Sequence, residues 1–337
     1  MAIYKPPYTI TSKMLHLSTQ ISEALTNLEH SAKEAITPIL RKKNRIKTLA
    51  GTLEIEGNFL GEEKITAILD GKRVLGTMQE VAEVEGAIVA YKELESYRYD
   101  KLEDLLKAHQ LMMHGILKTV GSFRRVNVGV GSHEGVSHVA PPYERVPELM
   151  HALFDWLSHS EEHLLIKSCV FHYEFEFIHP FSDGNGRIGR LWQSVILHQW
   201  KPIFSSMPTE SIIRDHQEAY YAALEAAGSV GESTPFVEFM LEMILQTIEN
   251  VPNNDPENVP KDRTEAILEY LGKTPDVSVR KLSELLAVSD KTIKRDLEKL
   301  KNEQKIERIG SNRKGYWRII QTDITQRNDI GNYYSAR

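Results

Sequence analysis

His179-Pro180-Phe181-Ser182-Asp183-Gly184-Asn185-Gly186-Arg187-Ile188-Gly189-Arg190 brings a base, a carboxylate, the glycines Gly184 and Gly186 and two arginines into one short stretch. Working outward, residues 166–178 are apolar and aromatic with neither Gly nor Pro, which predicts a buried helix that Pro180 stops. On the other side, Ile188, Leu191, Trp192, Val195 and Ile196 recur at helical spacing, so residues 187–200 read as a second helix. The motif is helix, tight loop, helix, and the chain is expected to be mainly α.

Arg187 and Arg190 are expected in the first turn of that second helix, where free N–H groups and the macrodipole are already positive. Such placement is costly unless an anion sits there, and a phosphate would resolve the conflict. Gly184 and Gly186 let backbone N–H groups approach an anion closely, and the two guanidiniums can clamp its oxygens. Asp183 is the hard carboxylate at the helix entrance and, with phosphate oxygens, could hold Mg²⁺, which takes few protein ligands. His179, as an imidazole, can titrate near neutral pH and so can serve as general base. Taken singly, Asp183 reads as a helix cap, the glycines as a turn and His179 as a core histidine; the set reads as an active site. Gly184, Gly186 and Gly189 also spell G-x-G-x-x-G, but His-Pro-Phe-Ser precedes them instead of a strand, which excludes a dinucleotide-binding βαβ unit.

These residues fill every fixed position of H-x-F-x-[DE]-G-N-G-R-x-x-R, and the stretch thereby resembles the signature of the Fic (filamentation-induced-by-cAMP) family. The resemblance implies a Fic-type helical core with a β-hairpin flap, and transfer of AMP from ATP to a Ser, Thr or Tyr hydroxyl of a protein, self-modification included. It implies that His179 deprotonates the hydroxyl, that Asp183 binds the metal on the α/β-phosphates, and that Gly184, Asn185, Gly186 and Arg187 hold the phosphates. Arg190 would reach the γ-phosphate. A hairpin candidate over 126–139, with His133 and His138 as polar hairpin residues, matches the family's flap, which docks the target protein by strand addition. Tyr220 and Tyr221 resemble tyrosines that line the family's adenine pocket, although Asp215-His216-Gln217 departs from the usual pattern.

Upstream, a helix over 38–57 is expected to stop at Gly57, a natural C′ residue. Glu56 then faces the negative helix pole and wants a cation. Thr52-Leu53-Glu54-Ile55-Glu56-Gly57-Asn58 resembles the family's inhibitory motif [ST]-x-x-x-E-[GN], carried by Thr52, Glu56 and Gly57. By that resemblance Glu56 pairs with Arg190 and blocks seating of the γ-phosphate. Two alternatives stand beside the adenylyltransferase: a phosphodiesterase that removes AMP, with Glu56 orienting water, and a nucleotide-sensing DNA-binding regulator.

The division expected along the chain is an N-terminal helical region with the inhibitory helix (1–97), a catalytic core (98–249), a linker (250–261), a small C-terminal winged helix-turn-helix (262–320) and a tail (321–337). Within these, Ser12 is expected to cap the first helix, residues 101–118 and 211–227 to be single helices, and Ser289-Asp290 to cap the recognition helix. His109 and His114, five apart, do not share a helix face and make no metal pair. Lys291, Thr292, Lys294 and Arg295, with Arg313 and Lys314 at the wing tip, are placed to reach DNA. Net charge is −6, yet residues 261–320 hold 15 Lys and Arg against 10 Asp and Glu, leaving +5 there and −11 elsewhere. Cys169 is the one cysteine, which excludes an intrachain disulfide and suits the cytoplasm. The sequence holds no run long enough to span a membrane. It leaves the target protein unnamed and a homo-oligomer open.

Overall fold

The computed structural model describes residues 4–35, 38–132, 135–250, 263–286, 290–310 and 315–320. Contacts divide the chain into two units, Met1–His30 with Arg41–Val251, and Ser31–Leu40 with Pro252–Arg337.

In the first unit, residues 4–9 run extended against the body, with the Ser233 N–H donating to the Pro7 carbonyl at 2.9 Å and the Tyr4 hydroxyl to Glu174 at 2.8 Å. Thr11, one residue before the expected Ser12, caps α1 (Ser12–Ala35) by accepting the Met14 N–H. Met14, Leu17, Ile21, Leu25 and Leu28 form its buried face. Helix α2 (Pro38–Ile55) ends in a turn where the Asn58 N–H returns to the Leu53 carbonyl and Gly57 takes φ +86°, the left-handed conformation that suits glycine. Then follow α3 (Gly61–Leu69) and α4 (Met78–Lys92), the latter opened by a reciprocal Thr77–Glu80 capping box.

Helix α5 (Leu102–Met112) is shorter than the expected 101–118; Gly115 at φ +81° turns the chain after it. The antiparallel hairpin of β1 (Gly129–Ser132) and β2 (Gly135–Val139) pairs Gly129 with Val139, with an irregularity at Val130/Gly131. His133 lies outside the described residues. Helices α6 (Val146–His159), α7 (Leu164–Ile178) and α8 (Asn185–Trp200) come next, and α7 and α8 are buried over most of their length. The single helix expected over 211–227 is two, α9 (Thr209–Asp215) and α10 (Gln217–Val230), because His216 leaves helical geometry at φ −120°. Helix α11 (Thr234–Asn250) closes the unit. Cys169 is buried and free, and burial pushes its thiol up to about 12.

Besides the last residues of α1 (31–35) and the first of α2 (38–40), the second unit has α12 (Arg263–Lys273), α13 (Val279–Leu285), α14 (Asp290–Asn302) and an antiparallel pair, β3 (Ile306–Ile309) and β4 (Tyr316–Ile319). Ile267, Leu271, Leu282, Ile293, Leu300 and Ile306 make its own core. Thr292 is half-buried on α14, whereas Lys294 and Arg295 are exposed. The expected cap Ser289, the wing-tip Arg313 and Lys314, residues 251–261 of the linker and the 321–337 tail lie outside the described residues. Among the described residues no helix is long and apolar enough to cross a membrane.

Candidate active site at the α7–α8 loop

The loop starts where α7 ends. His179 sits at that C-terminus with φ 49° and ψ 61°, a left-handed conformation uncommon for a residue with a side chain. Its N–H still donates to the Phe175 carbonyl at 2.9 Å, so the ring projects from a backbone anchored to α7. Asn185 then closes the loop on itself: its Oδ1 accepts the Phe181 N–H and its Nδ2 donates to the Phe181 carbonyl, both at 2.9 Å. The Asn185 side chain is thus committed to the loop. Gly184 is the N-cap, at φ 82°, and a Cβ there would stand 2.6 Å from the Met113 sulfur. Only glycine meets both conditions.

Helix α8 begins at Asn185, so Arg187 lies in its first turn and Arg190 in its second; sequence reasoning expected both in the first. Each has its own carboxylates. Arg187 Nη2 donates to Asp183 Oδ1 at 3.3 Å and its Nη1 is 3.8 Å from Glu83, while its buried Nε has no acceptor. Arg190, 2% exposed, donates from Nε to the Thr52 hydroxyl (3.1 Å) and from Nη2 to the Thr52 carbonyl (3.2 Å) and Glu56 Oε1 (2.7 Å). Glu56 lies just past the end of α2, and its Oε1 would be 2.5 Å from a Cβ at Gly186. Burial acts to raise the Glu56 carboxyl, but Arg190, with Arg187 and His179, outweighs it and holds the group below the usual carboxylate range. The start of α8 therefore carries an ionised carboxylate in the place an anion would take.

The end of α2 is tethered to α9 and α10. Arg214 on α9 donates to Glu54 at 2.8 Å, and Gln217, the first residue of α10, donates to the Ile55 carbonyl at 3.0 Å. Of the expected adenine-pocket residues, Tyr220 is 2% exposed and its hydroxyl lies 3.1 Å from His172 Nε2, whereas Tyr221 is 45% exposed. The structure places Tyr220 in the core and leaves Tyr221 as the open one.

Three participants carried no signal in the sequence. His109 is buried, stacks on Phe181 with ring centroids 3.7 Å apart, and accepts the Gly121 N–H at Nδ1 (2.9 Å). That fixes the proton on Nε2, which donates to the Asp183 carbonyl at 3.1 Å. Burial pushes this histidine down to about 4, so it stays neutral. Glu176 is half-buried, with its Oε1 enclosed beside His172 and Gly189; burial raises its carboxyl to about 8, and Oε1 has no hydrogen-bond partner among the described residues. Arg124, also buried, donates to backbone carbonyls on either side of His179.

Asp183 Oδ1 accepts the Gly184 N–H at 2.6 Å and its side chain is half exposed. A single accessible carboxylate beside an anion cradle fits Mg²⁺, which takes one or two carboxylates together with phosphate oxygens. The unsatisfied Arg187 Nε and the glycine-lined start of α8 likewise fit a polyphosphate. Among the described residues, no group of three His, Cys, Asp or Glu is assembled for a metal.

Comparisons with known proteins agree in part of the chain or all of it. A family model described as Fic/DOC family matches residues 99–197, and one described as DeoR-like helix-turn-helix domain matches residues 263–310. A solved structure of a Fic family protein from Desulfovibrio desulfuricans G20 is 40% identical, with a TM-score of 0.76, covering 95% of this chain and 99% of that one. Fic-1 from C. elegans shares the fold at 22% identity and a TM-score of 0.59, over 73% of this chain and 74% of that one. The protein adenylyltransferase Fic of Culex quinquefasciatus is 32% identical over 153 residues, which are 44% of this chain and 28% of that protein. The chain thus spans less than a third of the length of that curated relative.

Proposed function

Because the chain belongs to the Fic family, we propose that it is a protein adenylyltransferase that moves AMP from ATP to a Ser, Thr or Tyr hydroxyl of a protein lying along the 126–139 flap. The observation that carries this reading is the complete signature loop, with His179 projecting at the end of α7 and the glycine-lined anion cradle at the start of α8. In this reaction His179 takes the proton from the attacking hydroxyl as its oxygen bonds to the α-phosphorus, and the bond to the β-phosphate oxygen breaks, releasing pyrophosphate. The α8 N–H groups and Arg187 bind and orient the phosphates, and Arg190 takes the γ-phosphate. Mg²⁺ held by Asp183 supplies charge neutralisation on the phosphates. Glu56 opposes this by occupying Arg190 and covering Gly186, so the resting enzyme is autoinhibited.

The test is transfer of label from α-labelled ATP with Mg²⁺, to the protein itself and in cell lysate. The expected result is little label with wild type, strong label with Glu56→Gly, and none with Glu56→Gly/His179→Ala. Label surviving in the double variant would remove the base assignment, and nucleotide binding without label in any variant would remove the transferase reading.

A second reading, removal of AMP from a modified protein, is favoured by one observation: Glu56 is held ionised with His179 among the charges that stabilise it, where it could orient a water. Glu56→Gly separates the two, since it should raise transfer and abolish removal. For the second unit, we infer DNA binding through Lys294 and Arg295 on α14, with Lys291, Thr292, Arg313 and Lys314 as further contacts. The support is the DeoR-like helix-turn-helix match and the exposure of Lys294 and Arg295. Affinity of the full chain for DNA should fall steeply as salt rises, as phosphate contacts require.

A further inference from the structure

Arg124 is 4% exposed, and every hydrogen bond that its guanidinium makes among the described residues goes to a backbone carbonyl. Nε donates to His179 at 2.8 Å, Nη1 to Val126 at 2.8 Å, and Nη2 to Pro141 at 2.5 Å and to Ile178 at 3.4 Å. Its own N–H donates to the Pro180 carbonyl at 2.9 Å. One residue therefore holds three consecutive carbonyls, 178 to 180, around the left-handed His179 and, through the same planar group, the residues where the chain enters and leaves the hairpin. A second staple lies outside it, where the Tyr143 N–H donates to Asn127 Oδ1 at 2.9 Å.

The elements joined here are far apart in sequence. Burying a guanidinium is costly; Glu144 acts on this one through its charge but accepts none of its hydrogen bonds, so the position has a requirement that charge pairing only partly meets. Part of that requirement is the C-terminal pole of α7, whose last carbonyls favour a cation. The rest is geometric, because a rigid fork of donors fixes the hairpin base relative to His179, which a point-charge ammonium on a flexible stem does not.

We propose that Arg124 is a positioning residue for AMP transfer, setting the register between a protein strand added to the flap and the His179 imidazole. A strand laid against β1 or β2 takes its height from the hairpin, and the hairpin takes its base from Arg124. The distance from the acceptor hydroxyl to the base is thereby set by one guanidinium that bonds the His179 backbone and neither the hydroxyl nor the imidazole. This rests on the adenylyltransferase reading of the site.

The experiment uses the full-length Glu56→Gly protein as parent and adds Arg124→Lys or Arg124→Met. Four readouts are taken: ATP affinity, rate of label transfer, hydrogen exchange at residues 126–128 and 139–143, and the pH titration of the His179 Cε1–H resonance, assigned by its loss in His179→Ala. Both variants should keep ATP affinity within about 3-fold, since the anion cradle belongs to α8, while transfer falls roughly 100-fold, the scale of a misplacement near 1 Å. Exchange at the hairpin base should quicken and the His179 titration should shift. Unchanged transfer, or transfer and ATP affinity falling together in proportion, would overturn the proposal. Full activity in Arg124→Lys would also overturn it, by showing that charge at the helix pole suffices. If Arg124→Met fails to fold, Arg124→Lys alone decides. If the Glu56→Gly parent transfers no label, the functional reading falls by itself; exchange and the His179 titration then judge positioning, and no movement in either overturns it.

Discussion

The loop between α7 and α8 joins two helix poles of opposite sign, and the chain treats them differently. At the C-terminal pole of α7 the exposed groups are carbonyls, and the cation that meets them, Arg124, suits the dipole and is bonded to the backbone itself. At the N-terminal pole of α8 the helix offers N–H groups, yet the side chains placed in its first two turns are Arg187 and Arg190, of the same sign as the pole. Their balance comes from outside the helix: Asp183 from the loop, Glu83 from α4 and Glu56 from the end of α2. One pole is satisfied by a permanent partner and fixes geometry. The other is satisfied by carboxylates that a more highly charged anion can displace, and there a ligand can be exchanged.

That contrast is most exposed by stability measurements at the two arginines. Arg190→Ala removes a buried guanidinium, leaves Thr52 and the partly exposed Glu56 without their donor, and should cost about 3 kcal/mol in chemical denaturation. Adding Glu56→Ala should recover part of that loss. Arg124→Ala should cost a comparable amount, but no second side-chain change should recover it, because its partners are backbone carbonyls. Recovery at Arg124, or none at Arg190, would erase the distinction between the poles.

A smaller effect comes from Glu176, which stands on α7 and faces Gly189 of α8. Its folded-state carboxyl is raised to about 8, above its unfolded value, so the unfolded chain releases this proton first as pH rises. Its contribution to stability is therefore present below the unfolded value and is lost between about pH 4.5 and 8. Glu176→Gln should flatten the fall of stability over that window. Wild-type and variant curves of equal slope would refute it. Asn185→Ala, which strips the Phe181 N–H and carbonyl of their partners, should cost about 1–3 kcal/mol and lower ATP affinity by loosening the cradle. The smallest expected change is Arg214→Ala: its pair with Glu54 is partly exposed and should contribute less than about 1 kcal/mol. Raised label transfer in that variant would show that the tether of α2, and not the Glu56–Arg190 contact alone, holds the resting state.

The signature loop was legible because its chemistry is local: a helix stop, two glycines and two arginines all lie within residues 180–190. Glu56 was legible for a similar reason, as a carboxylate at an unfavourable pole with a short pattern around it. Arg124 and His109 were not, because each acts on backbone atoms of residues 178–183, and a carbonyl acceptor leaves no mark in sequence. Tyr220 and Tyr221 are adjacent, yet helical geometry sends one into an aromatic cluster with Phe236 and the other to solvent. The break at His216 carries no sequence mark, since no Gly or Pro stands there; the Gln217 side chain bonding the Ile55 carbonyl is a tertiary contact that accompanies the new start.

The order of the elements along the chain has one more consequence. Helix α2 precedes α7 and α8, and synthesis on the ribosome delivers the N-terminal part first, at about 5–20 residues per second. By the time His179 and Arg190 emerge and the signature loop can close, the segment bearing Glu56 has been available for several seconds. Under the proposed function, a nascent catalytic loop meets its inhibitor as it folds, and no interval of translation exposes an unrestrained transferase to the ATP around it.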